Sequence, residues 1–174
     1  MKKIQIGVMG SAADLKYSNE ALEFAKEVGK EIALSENILV YGAEKDYTSL
    51  STEAAKMASK MKGMTVGVAG GKNKKVFGKY RPTVIISSGQ EIGGGREFVL
   101  VTSCDVIIAL GGGSGTLTEI AIAYQAGIPI ITIDQFDGWS KKLSNLYLDE
   151  RCREKCIVAK TPQEAVQLAI QQVI

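Results

Sequence analysis

Histidine is absent from all 174 residues, and its absence removes the Ser–His and Cys–His nucleophile pairs and the usual zinc hydrolase sites. Any catalysis by this chain must run on carboxylates, arginine, lysine, hydroxyls and backbone amides. Cysteine is scarce: three residues, an odd number, point to thiols rather than a disulfide framework. Cys152 and Cys156 stand four apart, a spacing that would put both on one face of a helix. There they act as small packing groups or, with no histidine and no second pair, as a poor metal pair. Long apolar runs are also missing. No stretch approaches the roughly 18 uninterrupted apolar residues of a membrane-spanning helix, and Met1-Lys2-Lys3-Ile4-Gln5-Ile6 passes into a strand-like run without a secretory h-region. The expectation is a cytoplasmic protein with no membrane partner. Nor does charge of one sign dominate: 21 basic and 19 acidic residues leave a net charge of +2, too even for a dedicated nucleic-acid binder. No metal and no cofactor is expected.

What is present is alternation. Short β-branched runs at Ile4–Met9, Ile38–Tyr41, Thr65–Val68, Val84–Ser87, Val106–Leu110, Ile130–Ile133 and Cys156–Ala159 read as seven strands with helix-length segments between most of them. That pattern predicts an α/β, doubly wound, Rossmann-like fold, a mostly parallel sheet with helices on both faces. Leu22, Ala25, Val28, Ile32 and Ala33 recur at helical spacing in 19–35, as do Leu50, Ala54, Met57, Ala58 and Met61 in 50–61. Thr161-Pro162-Gln163-Glu164 announces a last helix, with threonine as N-cap and proline at the first helical position. No repeat, linker or low-complexity tract divides residues 1–174, so a single domain is expected. The stretch 70–82 reads as an exposed loop.

In such a sheet ligands sit outside the carboxyl ends of the strands, where strand order reverses. Three strand ends matter: Met9-Gly10-Ser11, Tyr41-Gly42-Ala43 and Leu110-Gly111. The third carries the strongest chemistry, because Gly111-Gly112-Gly113-Ser114-Gly115-Thr116 leads from a strand into a helix that should end at Gly127. Glycines let main-chain amides approach a ligand, and a helix start adds unpaired N–H groups and a positive dipole end, so the loop is a candidate phosphate site. A tight connection would use the same glycines. The loop matches neither the Gly-Lys-Ser/Thr of a P-loop nor a full dinucleotide fingerprint. Glu119, in the first turn of that helix, suits the dipole structurally. It is also placed to stabilise positive charge developing on a sugar carbon as a glycosidic bond breaks. Arg96, after Gly93-Gly94-Gly95, can reach a phosphate or ribose with its planar fork, or can be a surface arginine paired with Glu91 or Glu97. Lys72, Lys74, Lys75, Lys79 and Arg81, with Phe77 and Tyr80 between them, form a solvated basic loop or a phosphate contact.

Arg96, Asp105 and Gly112-Gly113-Ser114-Gly115-Thr116-Leu117-Thr118-Glu119 together resemble the LONELY GUY family and its wider relatives, once labelled lysine decarboxylases. The likeness extends to Val8-Met9-Gly10-Ser11, Leu39-Val40-Tyr41-Gly42 and Thr161-Pro162-Gln163-Glu164-Ala165. The resemblance implies that Gly10, Ser11, Gly42, Gly112, Gly113, Ser114, Gly115 and Thr116 bind a ligand and its phosphate, and that Arg96 and Glu119 are catalytic. It also implies a homodimer or higher homo-oligomer. Two positions depart from the family pattern. Glu97 follows the arginine where lysine or asparagine is usual, and Ala43-Glu44-Lys45-Asp46-Tyr47-Thr48 replaces a glycine-rich second loop, closing or reshaping part of a nucleotide pocket. No residue marks a pyridoxal-phosphate lysine, so decarboxylation has no support.

Three functions follow as expectations. The leading one is a nucleoside 5′-monophosphate phosphoribohydrolase cleaving the bond between base and ribose. The alternative is a non-catalytic carrier of a phosphorylated pterin, such as the molybdenum cofactor, or of a nucleotide. The third, resting on the Lys72–Arg81 run, is a DNA-interacting relative of the DNA-processing proteins.

Overall fold

The computed structural model describes residues 2–12, 16–72, 74–91 and 95–174; Gly93 and Gly94 of the second glycine cluster lie outside them. The element order is β1 (Gln5–Gly10), α1 (Asn19–Leu34), β2 (Ile38–Ala43), α2 (Leu50–Lys60), β3 (Met64–Ala69), β4 (Val84–Ser87), α3 (Gly95–Thr102), β5 (Val106–Leu110), α4 (Ser114–Ala126), β6 (Ile130–Ile133), α5 (Trp139–Leu143), β7 (Ile157–Ala159) and α6 (Pro162–Gln171). All seven predicted strands are present, within a residue or two at their ends. Every neighbouring pair is parallel, in the order β4-β3-β2-β1-β5-β6-β7.

Period-two alternation sorts the strand side chains onto two faces. From β1, Ile6 and Val8 join Ala25 and Val28 of α1, Ala54 of α2 and Ala165 of α6. Met9 goes to the opposite face with Leu100 of α3 and with Ile120 and Ala123 of α4. All of these are nearly or wholly buried, and each large aliphatic side chain so buried contributes about 1.5–3 kcal/mol.

The helices start where small hydroxyls satisfy their first amides. Ser18 Oγ accepts from Ala21 N at 3.2 Å, Ser49 Oγ from Thr52 N at 3.1 Å and Thr161 Oγ1 from Glu164 N at 3.1 Å. The last cap and Pro162 are placed as the sequence predicts. Gly127, at φ 66°, ends α4 in the left-handed conformation, also as predicted.

Three expectations change. Helix α5, five residues long, is too short to show as a periodic pattern. Cys152 and Cys156 do not share a helix: Cys152 is an exposed turn residue at φ 48°, and Cys156 is a buried residue just before β7. In the stretch 70–82 the basic side chains are exposed, but Val76 and Pro82 are buried, so the loop is anchored to the core. Among the described residues no helix is long and apolar enough to cross a membrane.

Candidate functional site

Strand order reverses at β1, which lies between β2 and β5. The loops leaving β1 and β5 therefore meet, since Gly10 pairs with Leu110 in the parallel register. Ser11, 6% exposed, joins them: its Oγ accepts from Gly112 N at 2.7 Å, while its carbonyl accepts from Leu50 N at 2.9 Å. The Gly112 amide is thus spent on the protein itself rather than offered to a ligand. Gly112 sits at φ 92°, where an added Cβ would collide with the Thr116 side chain. Only glycine fits there, for space and for backbone angle. From the other side the start of α5 holds the loop, Trp139 N donating to Gly112 O and Ser140 N to Gly111 O, each at 3.0 Å. Gly113 caps α4 and, as a glycine, brings no side chain of its own to the first amides of the helix.

A cleft of about 650 Å³ opens beside this loop, within the range of small-molecule sites. Ser11 and Gly111–Gly113 form one wall, and Lys16 and Tyr17, just before α1, form another. Phe136, Asp137, Trp139 and Lys142, following β6, line it from a third side. The Lys142 ammonium stands 4.6 Å from the centre of the Trp139 ring, an attractive placement that keeps the cation at the cleft edge. Phe136 is braced edge-on by Phe24, with centroids 5.4 Å apart.

Arg96 and Glu119 lie elsewhere. Neither lines that cleft among the described residues; Arg96 is 4% and Glu119 7% exposed. Arg96, in the first turn of α3, donates from Nη2 to Glu44 Oε1 at 2.8 Å and has the same nitrogen 3.2 Å from Glu97 Oε1. A side chain at Gly42 would collide with its Nη1. Glu44 follows β2 two residues after Gly42, so period two sends both to the face that α3 covers. Among the described residues, Arg96 Nε, Arg96 Nη1 and Glu44 Oε2 are buried with no hydrogen-bond partner. Glu119, on the neighbouring α4, feels the same charges. Burial pushes its carboxyl up to about 8; Arg96 opposes that rise, and Glu97 and Glu44 add to it. Burial likewise raises Glu44 above the ordinary carboxylate range, against the pull of Arg96.

Of the residues the sequence singles out, Ser11, Gly112 and Gly113 meet at the cleft. Gly10 ends β1 beside them, Ser114 and Gly115 are exposed on the first turn of α4, and Thr116 is buried beneath Gly112. Gly42, Arg96 and Glu119 belong to the separate buried charge cluster. Sequence reasoning missed Lys16 and Tyr17 from the loop after β1, Phe136 from the loop after β6, and Trp139 and Lys142 of α5. Counting the segment after β6 among the strand ends near the reversal would have found the last three.

A family model described as the SLOG cluster4 family matches residues 3–166. An uncharacterized protein of Archaeoglobus fulgidus is 32% identical over 127 residues, covering 73% of this chain and 78% of its own length. The molybdenum cofactor binding protein from Rippkaea orientalis superposes with a TM-score of 0.82 at 27% identity, covering 100% of this chain and 99% of that one. The molybdenum cofactor carrier protein of Chlamydomonas reinhardtii superposes at 0.73 with 27% identity, covering 99% and 98%. The doubly wound sheet, the glycine loop at its reversal point and these similarities agree, and the chain belongs to the SLOG cluster4 family.

Proposed function

We propose that this chain binds and carries a phosphorylated heterocycle, a pterin or a nucleotide, in the cleft beside Gly111–Gly113 without chemically altering it. The observation that carries this reading is the make-up of the cleft. It joins a glycine loop, two lysines and three aromatic side chains, and neither Arg96 nor Glu119 lines it among the described residues. Aromatic faces suit a planar ring system, and ammonium groups with helix-start amides suit its phosphate. The names of the two molybdenum cofactor proteins above favour a pterin over a nucleotide. Mass spectrometry of the native protein as purified should find a copurifying phosphorylated heterocycle. Lys142→Ala should weaken binding of that compound roughly tenfold or more, the worth of one charge-assisted contact. Absence of any bound compound, together with no binding of AMP or a phosphorylated pterin, would sink the proposal.

A second reading, hydrolysis of a nucleoside 5′-monophosphate, is favoured by one observation: Arg96 and Glu119 share a buried cluster and sense each other's charge. It requires free base and ribose 5-phosphate to appear when the protein meets a panel of monophosphates, and Glu119→Ala to stop their release. We further propose that the protein is a homo-oligomer, for the reason given at the molecular scale below.

A further inference from the structure

The groove by Lys26, Glu53, Lys56 and Tyr80 is a charged surface whose Lys56 and Glu53 pair with each other at 2.6 Å. The buried charges around Arg96 are a different case, because what they do is incomplete. A guanidinium presents five N–H donors in a fixed fork and binds an oxyanion best through two nitrogens at once. Here Glu44 and Glu97 both converge on Nη2, while Nε and Nη1 stay buried and unpartnered. Glu44 is engaged by one oxygen, its Oε2 also unpartnered. Its position is nonetheless secured on the main chain, where Phe77 N donates to Glu44 O at 2.8 Å. The lack of a side chain at Gly42 leaves the Nη1 edge its room.

We propose that Glu44 is an internal counter-ion standing where an external oxyanion would sit on Arg96, and that it closes this guanidinium to anions. The carboxylate arrives from the loop after β2 on the same strand face as Gly42, so it is a built partner rather than a chance surface pair. Its replacement by an oxyanion that spans two nitrogens would satisfy donors that the carboxylate leaves unmet. Glu44 lies outside the cleft lining, so the inference does not depend on what the cleft binds.

The test uses the full chain with inorganic phosphate as the probe. Glu44→Gln keeps the packing and removes the charge; Glu44→Ala also opens space. Thermal midpoints and binding stoichiometry are measured with and without phosphate for the wild type, both variants and Glu44→Ala/Arg96→Met. The expected result is one additional phosphate bound by Glu44→Ala relative to wild type. Phosphate should also raise the midpoint of Glu44→Ala several degrees more than it raises the wild type or Glu44→Gln, whose amide still fills the position, and the gain should vanish in the double variant. A Glu44→Ala protein that folds only when phosphate is present supports the proposal equally. Wild-type stoichiometry and response in Glu44→Ala, persistence of the gain without Arg96, or a Glu44→Ala protein that folds under neither condition would each overturn it. Because the comparison is with the wild type, failure of phosphate to bind at the cleft appears separately, as a wild-type stoichiometry of zero.

Discussion

Glu119 is a residue whose environment decides its charge. In the unfolded chain it is an ordinary carboxyl; folded, burial holds it up at about 8, and its neighbours' charges alter that without reversing it. A carboxyl raised on folding contributes stability that is complete below its unfolded pKa and is lost as pH rises through its folded pKa. The window runs from the ordinary value near 4.5 to about 8. Across it the wild type should lose stability by at most about 1.4 kcal/mol per pH unit from this one proton. Glu119→Gln should flatten that slope, as read by denaturant melts at pH 5, 6.5 and 8; an unchanged slope would show that Glu119 titrates normally. At pH 7 most molecules carry the proton there, which suits a group that donates a hydrogen bond better than one that stabilises a cation. Arg96 follows a related logic. Arg96→Met strands buried carboxylates and should cost about 3–5 kcal/mol at pH 8. The loss should be smaller at pH 5, because burial raises the Glu44 carboxyl and makes it easier to neutralise by protonation, and equal losses at both pH values would argue against the cluster.

At the scale of elements, local signals and structure agree wherever a helix or strand carries its own punctuation. Helix α6 is the clearest case: its threonine cap and first-turn proline read from the chain and take the expected places, and Ala165, Val166 and Ala169 turn inward while Val173, at the same spacing, lies exposed beyond the helix. Thr161→Ala should remove about 1 kcal/mol, lowering the thermal midpoint by about 2–4 °C. No change would mean that Pro162 and the packing of Ala165 and Ala169 hold the helix start unaided. Helix α5 marks the other limit. Its five residues owe their helical form to tertiary bonds, Trp139 N and Ser140 N reaching the carbonyls of the glycine loop. No propensity or period within Trp139–Leu143 could announce those partners. The same holds for Gly112: the glycine is visible in the sequence, but that its amide is taken by Ser11, 101 residues away, is not.

For the whole molecule, α4 is apolar on both sides. Ile120 and Ala123 face the sheet, while Leu117, Ala121 and Ile122 line an outward hollow with Phe98 of α3, edged by Thr102, Thr118 and Gln125, and among the described residues no charged residue lines it. Phe98 is 58% exposed. An outward face this apolar is ordinarily covered, and a self-complementary pairing of this face about a two-fold axis would cover it. The wild type should therefore sediment as a dimer and Phe98→Glu as a folded monomer; a monomeric wild type at micromolar concentration would end the idea. Alternating runs, caps and glycines were enough to specify the strands, most of the helices and the parallel α/β class, because these depend on residues within a turn or a strand of one another. The glycine loop was legible as an anion candidate for the same reason. That Arg96 and Glu119 sit among buried charges rather than in the cleft lining, among the described residues, was decided in three dimensions. Residue spacing carries no information on which side chains share a cavity, and the carboxylate that claims Arg96 comes from 52 positions away, in the loop after β2.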